Sequence, residues 1–322
     1  MHPILEVKHL TTSFSVDGRS VAAVRDISFT LHRSEAVGLV GESGCGKSIT
    51  ALSIMRLLPE PVARQTAGSI ILDGVDLGSL PDRQMRAVRG GRLAMVFQDP
   101  FTSLNPTMRL GDQVAEAIRA HAPMTGREAR DRALELLRSV QIPSPETRMR
   151  QYPHQISGGQ RQRVMIAIAF AGSPEALIAD EPTTALDVTV QAQVLSLMTD
   201  LRTRTGAASL LITHDMGIVA ETCERLLVMY AGRIVEQGPV AAVLRQPRHP
   251  YTEGLLASLP SIDGPRVGRL QSIPGQPPPL TAVYRGCAFA DRCPRVMDRC
   301  RTEEPPTVVT GAGASASCHL LA

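Results

Sequence analysis

Residues 4–31 alternate apolar and polar positions, with Ile4, Val7, Phe14, Val21, Val24, Ile27 and Phe29 on the apolar side and Asp17-Gly18 between the two halves. A period of two around an Asp-Gly turn predicts antiparallel strands. From Ala36 the pattern changes to an apolar strand (AVGLV), a glycine-rich loop and a helix through about Leu58. Short apolar runs at Ser69–Leu72, Leu93–Phe97, Leu177–Ala179, Ser209–Thr213 and Leu226–Tyr230 predict further buried strands. Between Phe101 and Phe170 these signals give way to helical periods, notably Gly111–Ala120 and Arg127–Val140. The expected fold is an α/β core with an antiparallel β subdomain and an inserted helical subdomain over about residues 99–173.

Beyond about Pro260 the apolar periodicity is lost. Nine prolines fall between Pro260 and Pro306, and four of the six cysteines lie beyond Pro260. The boundary expected is therefore a nucleotide-binding domain over 1–258 and a separate, loop-rich extension over 259–322. No repeat of 20–50 residues is visible.

Composition narrows the function classes. A net charge of +3 on 322 residues is too small to argue for nucleic acid or an anionic membrane surface. With no tryptophan and 3% aromatics, platforms for stacking bases are scarce. The longest apolar run, Val164–Ala171, is too short to span a bilayer. The N-terminus lacks a basic region followed by an apolar core, so a cytoplasmic location is the expectation. Among 34 basic residues only Lys8 and Lys47 are lysine.

Lys47 sits in a recognisable frame. Gly41, Glu42, Ser43, Gly44, Cys45, Gly46, Lys47 and Ser48, followed by Ile49, match G-x-x-x-x-G-K-[ST] between a strand and a helix. Backbone N–H groups of such a loop curl around phosphate oxygens, and the helix N-terminus adds its positive end. Lys47 then supplies charge to the β- and γ-phosphates of ATP, and Ser48 a hydroxyl to Mg²⁺. A glycine-rich turn with a chance lysine is the bland alternative, and the chain's avoidance of lysine argues against it. Cys45 reads as a small filler. The run Ala176–Ala179 ends in Asp180-Glu181, which places Asp180 to orient Mg²⁺ and Glu181 beside an attacking water as a general-base candidate. Alone, that pair would serve equally well as a surface turn.

Ser157-Gly158-Gly159-Gln160, followed by Arg161 and Arg163, resembles the signature motif of ABC ATPases, with Ile156 where leucine is more usual. The resemblance implies that these residues reach the γ-phosphate held by a second ATP-binding subunit, either a sister chain or an identical copy. It also implies that Gln98 senses Mg²⁺ and the permease, that Asp187 in Ala185-Leu186-Asp187 lies at a dimer seam, and that His214 contacts the γ-phosphate. Phe14 is the candidate adenine-stacking aromatic, although a core role suits it equally. The likeness covers residues 1 to about 255.

A narrower likeness follows. Phe97–Pro106, Arg248-His-Pro-Tyr-Thr252 and the cysteine-bearing tail resemble importer ATPases of the oligopeptide/dipeptide type. That family also serves nickel, glutathione and other small solutes. Membership implies an ATPase at the cytoplasmic face of the membrane, working with two membrane permease subunits and an extracytoplasmic solute-binding protein. The rival class, a soluble ABC ATPase acting on DNA or the ribosome, usually shows paired cassettes, coiled-coil insertions or basic arms. None of these is evident.

Cys287, Cys293, Cys300 and Cys318 lack the C-x₂₋₄-C pairs of structural zinc. Disulfides are unfavourable in a reducing cytosol. Four cysteines suit a [4Fe–4S] cluster, and the family likeness suggests one; zinc ranks second and a metal-free tail third, with His319 a substitute ligand. Because the nucleotide motifs lie elsewhere in the chain, the tail is expected to be structural and independent of the ATP site.

Overall fold

The computed structural model describes residues 2–184, 186–259 and 272–322. In chain order the strands are β1 (Leu5–Val16), β2 (Arg19–Leu31), β3 (Ala36–Val40), β4 (Ala63–Leu72), β5 (Val75–Asp76), β6 (Leu93–Val96), β7 (Ala176–Asp180), β8 (Ala208–Thr213), β9 (Arg225–Tyr230), β10 (Arg233–Pro239), β11 (Thr307–Gly311) and β12 (Ala314–Ser317). The helices are α1 (Lys47–Ile54), α2 (Asp82–Val88), α3 (Pro100–Ser103), α4 (Leu110–His121), α5 (Gly126–Ser139), α6 (Pro145–Arg148), α7 (Gly158–Phe170), α8 (Val188–Thr205), α9 (Met216–Thr222), α10 (Val240–Arg245), α11 (Pro250–Ala257) and α12 (Arg299–Thr302). They fall into two compact units.

One unit comprises Glu6–Phe29, Ala36–Ile70 and the described residues from 212 onward. Its β1–β2 hairpin turns through Asp17 and Gly18, both at positive φ (49° and 73°). Two left-handed residues in succession are what a two-residue turn matched to strand twist requires. Strands β2, β1 and β4 are neighbours in that order. A second layer runs β11-β12-β10-β9-β3. There β3 lies parallel to β9, with Gly38 opposite Leu226, and β9 turns back antiparallel into β10. Every residue of β3 is buried, consistent with its uninterrupted apolar sequence. Gly38 leaves room for α9: a Cβ there would lie 2.6 Å from Val219 Cγ1.

The tail belongs to this unit. It is loop-rich, as its prolines suggest, but its end forms the β11–β12 hairpin, and β12 pairs with β10 through Glu236 opposite Ala316. Phe289 of the tail is buried in a core of Val40, Val228, Tyr230, Val243 and Tyr251. Its ring meets that of Tyr230 edge-on, with centroids 5.2 Å apart, and lies 5.4 Å from Tyr251.

The other unit comprises residues 2–5, Thr30–Glu35 and the described residues of 71–211. Its strands β6 and β7 are parallel, with Leu93 opposite Ala176 and Val96 opposite Ala179. The expected helical subdomain is present as α3–α7, in which α7 packs against α3, α4 and α5. Helix α5 opens with a capping box, Thr125 and Glu128 each satisfying the other's backbone N–H. Helix α8 closes on Gly206 at φ 70°, the left-handed C-terminal residue that glycine adopts without a side-chain clash. Arg92 anchors the loop before β7, its Nε donating to Glu175 Oε1 at 2.5 Å.

Because the tail shares its core with β3, β9 and β10, truncating its anchor should weaken the whole unit. Phe289→Ala is expected to lose roughly 3–5 kcal/mol of stability, the usual result of emptying a buried aromatic site. Urea unfolding followed by far-ultraviolet circular dichroism checks this. An unchanged midpoint, with only the tail released to protease, would show the aromatic contact to be incidental.

Candidate nucleotide site

The phosphate loop joins β3 to α1. Gly46, at φ 111°, turns the chain into the helix, and a Cβ there would lie 2.8 Å from the Ala23 carbonyl oxygen. Only glycine fits both the dihedral and the space. Lys47 is buried, and its Nζ donates to the carbonyl oxygens of Gly41 (2.7 Å) and Glu42 (3.0 Å). Cys45 is buried beside it, and burial pushes the thiol up from its ordinary range. It fills space, in keeping with its expected part. Ser43 and Gly44 are exposed at the mouth of the loop, while Ser48 and Ile49 are half-buried in the first turn of α1. That helix ends at Ile54, short of the expected Leu58. Phe14 is half-buried near the end of β1. His214 follows β8 and is exposed; Asp215 caps α9, its carboxylate accepting from the N–H groups of Gly217 and Ile218.

Glu42 carries contacts that the motif alone does not reveal. Its N–H donates to Tyr251 Oη at 2.8 Å. Its carboxylate accepts two bonds from the Arg292 guanidinium, Nη1 to Oε2 at 2.5 Å and Nη2 to Oε1 at 2.9 Å. The Arg292 side chain is only 6% exposed. The bond to Glu42 raises its pKa further, so it stays charged. Tyr251 lies within the His-Pro-Tyr segment already singled out. Arg292 had no signal of its own beyond its place next to Cys293. The tail is thus not remote from the phosphate loop, and the expectation of independence is corrected.

In the other unit β7 delivers Asp180, buried, and Glu181, half-buried. Glu181 sits at φ 45°, a left-handed conformation unusual for a residue with a side chain. Its Oε2 accepts from Gln98 Nε2 at 3.0 Å and from Thr184 Oγ1 at 2.9 Å. The glutamine and the base candidate are therefore brought together. Ser157 caps α7, its Oγ accepting from the Gln160 N–H and its own N–H donating to Gln160 Oε1, both at 3.4 Å. A Cβ on Gly159 would lie 2.6 Å from Val190 Cγ1, so α7 and the start of α8 approach closely there. Asp187 caps α8 by accepting from the Val190 N–H at 2.9 Å. Ala185 of the same loop lies outside the described residues.

The four tail cysteines converge. Cys287, Cys293, Cys300 and Cys318 line one small cavity with His249, His319 and Arg295. All are free thiols. Burial raises Cys287 to about 11, with the neighbouring cysteines adding to the rise, and it also raises Cys293 and Cys318. His319 Nδ1 is buried without a hydrogen-bond partner, while Nε2 lies 3.0 Å from the Glu303 carbonyl oxygen. Among the described residues, however, no group of three or more His, Cys, Asp or Glu side chains is disposed to hold a metal ion. That finding bears on the expected iron–sulfur cluster and on the zinc alternative alike.

Residues 24–184 match the ABC transporter family, and residues 235–300 match the oligopeptide/dipeptide transporter C-terminal region. The chain is 51% identical to a protein of Sinorhizobium fredii named as a probable peptide ABC transporter ATP-binding protein, over 98% of this chain and 94% of that one. It is 50% identical to the oligopeptide transport ATP-binding protein OppD of Mycobacterium tuberculosis, over 99% of this chain and 52% of that longer one. Among solved structures, a dimeric ATP-binding cassette in a post-hydrolysis state with ADP and phosphate superposes with a TM-score of 0.66 at 27% identity, over 73% of this chain and 98% of the other. With the phosphate loop, the Gln98–Glu181 pair and the capped signature helix in place, the chain belongs to the ABC transporter ATP-binding proteins, in the oligopeptide/dipeptide importer family.

Proposed function

We propose that this chain binds and hydrolyses ATP to drive peptide import, through two permease subunits and with a second ATP-binding subunit. The observation that carries the hydrolytic part is Glu181, half-buried, held in a left-handed conformation and anchored by Gln98 and Thr184. A carboxylate so fixed can take a proton from water attacking the γ-phosphate, while Asp180 and Ser48 hold Mg²⁺. Lys47 leaves the Gly41 and Glu42 carbonyls for the phosphates when nucleotide binds. Ser157, Gly158, Gly159 and Gln160, with Asp187, serve the partner subunit's nucleotide, and His214 and Phe14 take the γ-phosphate and adenine. A dimeric, ADP-bound relative of the same fold supports this two-subunit reading.

No helix among the described residues is long and apolar enough to cross a membrane, so the permeation path is assigned to partner chains. Phe97 and Phe101, exposed on either side of Gln98 and Asp99, suit contact with an apolar permease surface. Peripheral attachment at the cytoplasmic face and supply by an extracytoplasmic solute-binding protein complete the reading. Glu181→Gln preserves shape and removes the base. In the assembled complex it should still bind ATP but hydrolyse it at least about a hundredfold more slowly, read by phosphate release. Turnover within a few-fold of wild type would move the base elsewhere.

For the tail, the proposal is a [4Fe–4S] cluster held by Cys287, Cys293, Cys300 and Cys318. What supports it is the convergence of four free thiols on one cavity. A four-iron core holds its thiolates farther apart than a single ion does. Such a group would cross-link loops that have little apolar packing of their own. Anaerobically purified protein should be brown and carry about four iron and four sulfide per chain, and Cys293→Ser should bleach it. Colourless protein with no iron or sulfide, its tail still ordered, would discard the cluster.

A further inference from the structure

Glu42 occupies a position where the phosphate-loop pattern makes no demand, yet it is held at its N–H, its carbonyl and its carboxylate. Its N–H is taken by Tyr251 Oη, its carbonyl by Lys47 Nζ and its carboxylate by both terminal nitrogens of Arg292. Arg292 is itself fixed from several sides. Its Nε donates to the Pro274 carbonyl at 2.9 Å, and Nη1 also approaches Tyr230 Oη at 3.4 Å. The guanidinium carbon lies 5.8 Å from the centre of the Tyr230 ring and 6.0 Å from that of Phe289. A planar fork locked in this way has one geometry to offer a carboxylate.

We propose that Arg292 is a positioning residue of the nucleotide site: acting through Glu42, the C-terminal tail holds the phosphate loop in its binding form and thereby sets ATP affinity. The inference rests on the reading of Gly41–Ser48 as the phosphate site. Its physical basis is that Glu42 is held both at its N–H, by Tyr251, and at its carboxylate, by Arg292, so the backbone of the loop on either side has a fixed place before nucleotide arrives and before Lys47 turns to the phosphates. When Glu42 is free to move, the N–H groups beside it lose that fixed place. The loop must then be ordered at the moment of binding, which lowers affinity without altering the chemical step.

The test uses the full chain, with MgATP affinity measured by calorimetry and turnover measured at saturating ATP. Arg292→Met removes the charge while retaining bulk, and should weaken ATP binding about tenfold while turnover at saturation changes less than about threefold. Glu42→Gln should weaken binding by a similar factor, and the double variant should be no worse than either single one. Arg292→Lys, which keeps the charge but not the fork, should fall between Arg292→Met and wild type. A purely structural arginine would instead lower the melting temperature and leave additive effects on affinity.

Lys47→Ala is the reference. If it abolishes ATP binding while folded Arg292→Met and Glu42→Gln bind within twofold of wild type, the proposal is overturned and the phosphate site stands. Normal binding by Lys47→Ala overturns both. Should Arg292→Met fail to fold, Glu42→Gln decides, because it leaves the arginine in place and changes one atom: wild-type affinity there refutes the coupling.

Discussion

A buried guanidinium facing a carboxylate is a demanding contact. Both groups give up water, and the pairing offsets that cost only when every donor finds an acceptor in good geometry. Arg292 places four of its five N–H donors, on both Glu42 oxygens, the Pro274 carbonyl and the Tyr230 hydroxyl. Much of the surrounding unit serves to make this possible. Tyr230 comes from β9, which pairs directly with the strand feeding the phosphate loop. Tyr251 comes from α11, whose capping residue His249 is buried and, through that burial, kept neutral, its pKa lowered to about 4. The His249 and Arg248 N–H groups are in turn taken by the Glu236 carboxylate on β10. One chain of polar contacts therefore runs from β10 to the loop.

Much of the local geometry of the candidate site could be read from sequence because its residues are dictated locally. Lys47 must follow Gly46, and the dihedral at Gly46 explains the glycine. Ser157 and Gln160 form a capping box whose spacing is a property of the helix turn. The Asp17-Gly18 hairpin and the strands β3, β6, β7, β8 and β9 likewise announce themselves through apolar runs or turn chemistry. What escaped has a common cause. Strand β10 carries Arg233, Glu236, Gln237 and Gly238 and shows no apolar alternation, and β12 is only Ala-Ser-Ala-Ser, whose alternation rests on alanine alone and is too weakly apolar to mark a strand. They are strands because of partners distant in sequence. Arg292 escaped for the same reason: nothing near it in the chain foretells a carboxylate, and its burial is a tertiary fact.

The second unit shows a different economy. Glu181 is held by a glutamine from the end of β6 and a threonine from its own turn. Gln98 approaches because β6 and β7 run parallel in register, so that their C-terminal ends come out side by side. That is the general advantage of parallel strands for catalysis: residues far apart in sequence arrive at one edge without any loop having to find them.

The span of the Glu42–Arg292 pair has a consequence for how the protein is made. The two residues are 250 positions apart, so a chain leaving the ribosome displays the whole phosphate loop long before the arm that steadies it exists. Until then the Glu42 carboxylate has no guanidinium to meet and β10 lacks its β12 neighbour. Synthesis order thus separates a chain that merely contains the motif from one in which the motif is set, and the later-translated tail makes the difference.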